Sequence, residues 1–387
     1  MRIVIAPDKF KGSLDAAGVA RHIAGGLRSV DPTLTIDEVP AADGGEGTLD
    51  AAIASGFTRH SVTVTGPLGE PVNADFAVRD TVGVVEMATA SGLALIPEGR
   101  RDAGAATSRG TGELIAAALD LGCETIVLAI GGSASTDAGA GMLAGLGVVL
   151  LDARGDVVPD GGRALAGVTR IDLSRFDTRV ASTRFVLASD VDNVLLGPTG
   201  AAAVFGPQKG ATAKDVAELD AALGTFSRVL ADAVGPVAAD AVNGPGAGAA
   251  GGVGYAALAV LGAERRPGIE VVLNLTGLPH SIQGADLVIT GEGSLDEQSL
   301  GGKTPIGVAD AARRASVPVI AVCGRTNLGR DRLREAGFER TFAITDYEAD
   351  PMLCMTNAGA LLERIGAEIG SQLTDLVKSP RPREPQA

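Results

Sequence analysis

Acids and lysines in this chain stand in glycine-rich loops, and most of those loops directly follow a short apolar run. The run Ile3 to Ala6 leads into Pro7-Asp8-Lys9-Phe10-Lys11-Gly12-Ser13, a carboxylate and two ammonium groups at the opening of a helix, where amides and dipole favour anions. Lys9 and Lys11 there suit a phosphate or a carboxylate. Next, Ala42-Asp43-Gly44-Gly45-Glu46-Gly47 sets two acids around a glycine pair that lets backbone approach a ligand. Gly131-Gly132-Ser133-Ala134-Ser135-Thr136-Asp137 offers amides and hydroxyls for an anion nest. Ser108-Arg109 carries the planar fork that grips carboxylates, and Lys209 lies in another glycine turn, Gly206 to Gly210. Asp190-Val191-Asp192-Asn193 follows the run Phe185 to Ala188, and its paired hard oxygens suit Mg2+ or a general base. The richest stretch runs from Gly291-Glu292 through Asp296 to Lys303-Thr304, three acids and a lysine between a strand and a helix. Taken singly, each loop also reads as an ordinary capped turn or a solvated charge.

Acids and lysines spread over several glycine-rich loops are what phosphoryl transfer demands: metal ligands, charge neutralisers and a base for the attacking hydroxyl. Competing chemistries find less support. The end of the 291–304 stretch resembles a Walker A loop, but Glu297 stands where that motif needs glycine. The three histidines, His22, His60 and His280, sit in no catalytic-looking cluster, which argues against a Ser/His/Asp hydrolase. No G-x-G-x-x-G follows the first strand. Cys123, Cys323 and Cys354 are widely spaced and read as reduced thiols. A net charge of −14, without a basic block, argues against nucleic acid as a partner. The longest uncharged apolar run, Ala138 to Leu151, is too short for a membrane span, and no signal peptide is apparent, so a cytoplasmic enzyme is expected.

Continuous Val/Ile/Leu runs separated by helical patterns predict an α/β fold with parallel strands buried on both faces. The spacing predicts a helix from Leu14 to Ser29 behind a Ser13 cap, and another from Pro305 to Arg314 behind Thr304. Ser61 to Val64, Val72 to Val78 and Val82 to Met87 read as antiparallel strands of a different sheet. The expected architecture is a doubly wound, Rossmann-like parallel sheet built from residues 1–65 and 284–378. A second α/β domain, 66–283, is inserted in it, and a disordered tail spans 379–387.

At these residues the chain resembles the type I glycerate kinase family. The resemblance rests on PDKFKG at Pro7, ADGGEG at Ala42, GTGELI at Gly110, GGSASTDAG at Gly131, FGPQKGA at Phe205, GAGAAGG at Gly246 and TGEGSLDEQSLGGKTPIGVA at Thr290. It implies ATP-dependent phosphorylation of D-glycerate with Mg2+, and two α/β domains with the active site in the cleft between them. It favours 2-phosphoglycerate over 3-phosphoglycerate as product. On this footing Asp190 or Asp192 is the base, with Lys9 beside it as a catalytic group, and the other acid holds Mg2+ or substrate; Asp192 and Asp296 are the expected metal ligands. Lys11, Asp8, Asp43, Glu46, Ser108, Arg109, Asn193 and Lys209 are expected to contact substrate. Gly131, Gly132, Ser133, Asp137, Gly291, Glu292, Asp296 and Lys303 are expected to meet the nucleotide.

Two departures from the family pattern stand out. Val194 replaces a usual proline, which predicts a more mobile loop, and Ala138 replaces a usual glycine, where an ordinary backbone angle is expected. Rival classes are an NAD(P)-dependent oxidoreductase and a non-catalytic protein that binds an acidic metabolite. The oligomeric state is not legible in the sequence.

Overall fold

The structure is a computed structural model that describes residues 1–378. The tail expected at 379–387 lies outside the described residues. Strands β1 (Arg2–Pro7) and β2 (Thr35–Glu38) open the chain. The middle carries β3 (Thr58–Thr65), β4 (Pro71–Arg79), β5 (Val82–Glu86), β6 (Thr125–Ala129), β7 (Val149–Leu151), β8 (Arg170–Asp172), β9 (Arg184–Ala188) and β10 (Glu264–Arg266). Strands β11 (Leu287–Leu295), β12 (Val319–Thr326) and β13 (Arg340–Ala343) follow. The chain divides into two compact units, one made of Met1–Asp43 with the segment from Ile269 onward, the other of Gly44–Gly268.

The first unit is built on a five-stranded sheet, wholly parallel, in the order β13-β12-β11-β1-β2. Its strands read as continuous apolar runs because both faces are covered. Ile3, Ile5, Ile289 and Val322 pack beneath the helices Ala16–Val30 and Ala358–Lys378, while Val4, Ala6, Val288 and Ala321 pack with the side of Leu278–Ile282 and Thr304–Arg314. The first of these helices starts two residues later than its apolar spacing predicts, because Asp15 rather than Ser13 caps it, accepting from Gly18 N at 2.6 Å. Strand succession reverses direction between β1 and β11, and a crevice outside the carboxyl ends of strands at such a switch point is where open α/β sheets bind ligands.

The second unit has a six-stranded mixed sheet in the order β10-β9-β6-β5-β4-β3, with a separate antiparallel ribbon of β7 and β8. The antiparallel character expected around residues 61–87 appears in the pairs β3/β4 and β4/β5, whereas β5, β6, β9 and β10 run parallel. The unit boundaries differ from those read in the sequence. Residues 58–65, grouped there with the terminal segments, pair along β4 instead, and their alternating burial is that of an edge strand. Residues 269–283, grouped there with the insert, bury Ile269, Leu278 and Ile282 among side chains of the first sheet. Among the described residues no helix is long and apolar enough to cross a membrane.

Candidate active site

In the first unit two acids meet at the switch point. Asp8 leaves β1 and Glu292 lies within β11, which runs five residues further than its apolar stretch suggests. Gly291 makes room for this, since a Cβ there would stand 1.7 Å from Val322 O. Asp8 N donates to Gly291 O at 2.8 Å, and the Asp8 carboxylate accepts from Lys9 N and from Thr304 Oγ1, both at 2.7 Å. Thr304, expected as the helix cap, gives that position to Lys303 and spends its hydroxyl on Asp8. Burial, and then the charge of Asp43, push Asp8 up to about 6 against the pull of Thr304 and Lys9. Burial pushes Glu292 up to about 7, with Ser299 and Lys303 opposing and Asp8 and Asp296 adding repulsion. Glu292 Oε1 is buried without a hydrogen-bond partner.

Two crowded carboxylates, one with an orphaned oxygen, fit a divalent cation better than the expected pair Asp192 and Asp296. Asp296 Oδ1 instead accepts from Gln298 N at 2.9 Å and Ser299 N at 3.3 Å, closing the turn before the helix Thr304–Arg314. Among the described residues no group of three or more His, Cys, Asp or Glu stands ready to hold a metal. Mg2+ commonly uses only one or two carboxylates alongside substrate phosphates and water, so Asp8 and Glu292 could hold one. Lys11 is exposed on the same loop as Asp8.

In the second unit three loops gather at the carboxyl ends of β5, β6 and β9. A Cβ at Gly44 would lie 2.7 Å from Gly268 Cα and 3.2 Å from Ala188 Cβ, and one at Gly131 would lie 2.5 Å from Gly45 Cα. Only glycines let these backbones approach so closely. Glu46 reaches Gly132, where a Cβ would come within 2.8 Å of Oε1. Asp190 is exposed at the end of β9, and its Oδ1 accepts from Gly268 N at 3.0 Å. Behind the first loop Glu86, only 6% exposed, accepts from Leu49 N at 2.9 Å and from Gly47 N at 3.2 Å. Sequence reasoning passed over Glu86; an acid ending an otherwise apolar strand was the available signal.

Other expected contacts turn inward. Asp137, expected to meet the nucleotide, is fully buried and accepts from Ser108 N and Ser108 Oγ at 2.8 Å, Gly139 N at 3.1 Å and Gly141 N at 3.2 Å. Burial raises its pKa against those donors. Ser108 also accepts from Met142 N at 2.9 Å, so its hydroxyl serves the interior. The Arg109 fork closes on Asp160, with Nε at 2.5 Å and an Nη at 2.7 Å from its two oxygens. Asp192 is 79% exposed and pairs with Arg265 at 2.6 Å, while Asn193 Nδ2 donates to Thr199 O within its own loop. Gly248 N donates to Asn193 O at 2.8 Å, tying down the segment just before Val194. Ala138 takes φ 52° rather than an ordinary angle, which explains why glycine would be at ease there.

Lys209 is 1% exposed, and its Nζ donates to Ser133 Oγ at 2.9 Å and Ser135 O at 2.5 Å, so it ties two loops together from inside. Burial pulls it down to about 7, partly restored by Asp137. Lys209→Ala removes buried methylenes and leaves two buried acceptors unpaired, for an expected loss of about 3–5 kcal/mol in unfolding free energy. Denaturant titration checks this; a loss below about 1 kcal/mol would mean that the amine is a surface contact.

Comparison with known proteins decides what this constellation belongs to. Residues 3–374 match the model of the Glycerate kinase family. The chain belongs to the glycerate kinase family. It is 43% identical over 376 residues to a glycerate kinase of Bacillus subtilis (strain 168), covering 96% of this chain and 98% of that protein. It is 45% identical over 348 residues to a glycerate 2-kinase of Escherichia coli (strain K12), covering 89% and 90%. A crystal structure from Salmonella typhimurium LT2, provisionally named glycerate kinase 2, superposes with a TM-score of 0.84 at 41% identity, over 97% of this chain and 98% of that one. Membership of the glycerate kinase family makes the protein a phosphotransferase with an alcohol group as acceptor.

Proposed function

We propose that this protein moves the terminal phosphoryl group of ATP to the 2-hydroxyl of D-glycerate in the cytoplasm. The observation that carries the reading is the Asp8–Glu292 pair at the switch point of the first sheet, with Lys303 close enough to act on Glu292 electrostatically. Such a pair is costly in a fold unless a cation and a polyphosphate come to it. The 2-position is supported by the name of the Escherichia coli relative, glycerate 2-kinase.

The labour divides between the two polar clusters. Asp8 and Glu292 would hold Mg2+, which when bound neutralises charge on the phosphates of ATP. Lys303, at the head of the helix Thr304–Arg314, and Lys9 add positive charge toward those phosphates. In the second unit the loops at 44–47 and 131–132 would seat glycerate, and Asp190, oriented by Gly268 N, takes the proton of the attacking hydroxyl.

Incubation with D-glycerate, MgATP and a coupled ADP readout, followed by phosphorus NMR of the product, tests the whole reading. The expected outcome is turnover that stops in excess chelator and yields 2-phosphoglycerate. A product carrying phosphate at the 3-hydroxyl would overturn the regiochemistry. Absence of turnover together with stabilisation by NAD(P) would favour the oxidoreductase class instead.

A further inference from the structure

We propose that Glu86 is a positioning residue for the acceptor site, setting the Gly44–Gly47 loop so that Glu46 is presented to the hydroxy acid. This rests on the reading that the second unit's cluster seats glycerate. Glu86 is the last residue of β5, in register with Ala129 at the end of β6, so it stands where the 131–132 loop departs. Its carboxylate is almost wholly buried and takes the amides of Gly47 and Leu49 at the start of the helix Thr48–Ala54.

Those two bonds fix which way the loop faces. The same loop carries the Gly45 backbone and the Glu46 side chain. Both lie against Gly131 and Gly132, with no room for a Cβ between them. A buried carboxylate is an expensive way to cap a seven-residue helix, because any lost partner leaves a desolvated charge. It is an effective way to hold a loop to a fraction of an ångström, which is the tolerance that substrate alignment requires.

Both amides donate to the same oxygen, Oε2, which a glutamine could still supply, so the variant that tests the contact is Glu86→Leu, which keeps most of the volume and removes both oxygens; Glu86→Asp keeps the charge and withdraws it by one methylene. The readouts are KM for D-glycerate, KM for ATP and kcat, well below the melting temperature, together with hydrogen exchange at the Gly47 and Leu49 amides. Glu86→Leu is expected to speed exchange at both amides and to raise KM for D-glycerate about tenfold, leaving KM for ATP within about twofold; Glu86→Asp should fall between it and the wild type. Faster exchange with unchanged KM for D-glycerate would overturn the proposal and leave Glu86 as fold support, and so would unchanged exchange. A wild-type protein that turns over no D-glycerate would overturn the glycerate reading itself, a result visible before any variant is made.

Discussion

Glu292→Gln is expected to lose about 10²–10³ in kcat while melting at a higher temperature than the wild type at pH 8. Activity falls because the orphaned Oε1 and its charge are what would hold the cation. Stability rises because the buried charge is unfavourable in the folded state. The sign follows from proton linkage: Glu292 is raised from 4.5 to about 7, so between those values the folded protein binds more protons than the unfolded chain. Stability from this group is fully present below pH 4.5 and is lost as pH rises through 7. Gln mimics the protonated form, so the two proteins should melt alike in acid and separate as pH climbs, by about 1–2 kcal/mol at pH 8 after allowance for partial solvation. Mg2+ should stabilise the wild type at pH 8, where both acids are ionised, and have much less effect on the variant. Thermal melts with and without Mg2+ across pH 4–8 read all three effects. A variant that melts below the wild type at pH 8, or responds equally to Mg2+, would remove Glu292 from the cation site.

Asp190→Asn should lose about 10²–10⁴ in kcat, with little change in KM and no rescue at high Mg2+. Asparagine can still accept from Gly268 N through its Oδ1, so the loop keeps its shape and only the proton acceptor is lost. Asp192→Asn is the internal control. Sequence alone treats the two acids as interchangeable, but Asp192 is solvated and paired with Arg265, so its removal should change kcat by less than about threefold. Steady-state kinetics on both variants separates the roles. Equal losses would show that the pair works as a unit.

The strands were legible because burial on both faces leaves an uninterrupted apolar run, as in Ile3 to Ala6 and Ile126 to Ala129. What escaped were pairings between residues far apart in the chain. Nothing local to Thr304 says that its hydroxyl belongs to Asp8, 296 positions earlier, or that the Arg109 fork is taken by Asp160, 51 positions later. Asp137 was read as part of an anion nest, but sequence could not say that its carboxyl would turn inward onto Ser108, 29 positions earlier. Glycine clusters pointed to the right loops; they did not reveal Glu86, which carries no glycine signature and sits in a strand whose other residues are apolar. Acids after strands were legible as a set, and burial then sorted Asp8 and Glu292 from Asp192.

The contact between Gly44 and Gly268 places the entrance and the exit of the inserted unit side by side. A segment whose two ends abut can be spliced into a host chain without stretching it, and can be cut out again with equal ease. Joining Asp43 directly to Ile269 would therefore close the first unit with a short bridge, and Gly44–Gly268 could be produced alone or with its ends linked into a ring. Asp190 is hydrogen-bonded to Gly268, the last residue of that segment, so the proposed base would be held at the closing end of the insertion.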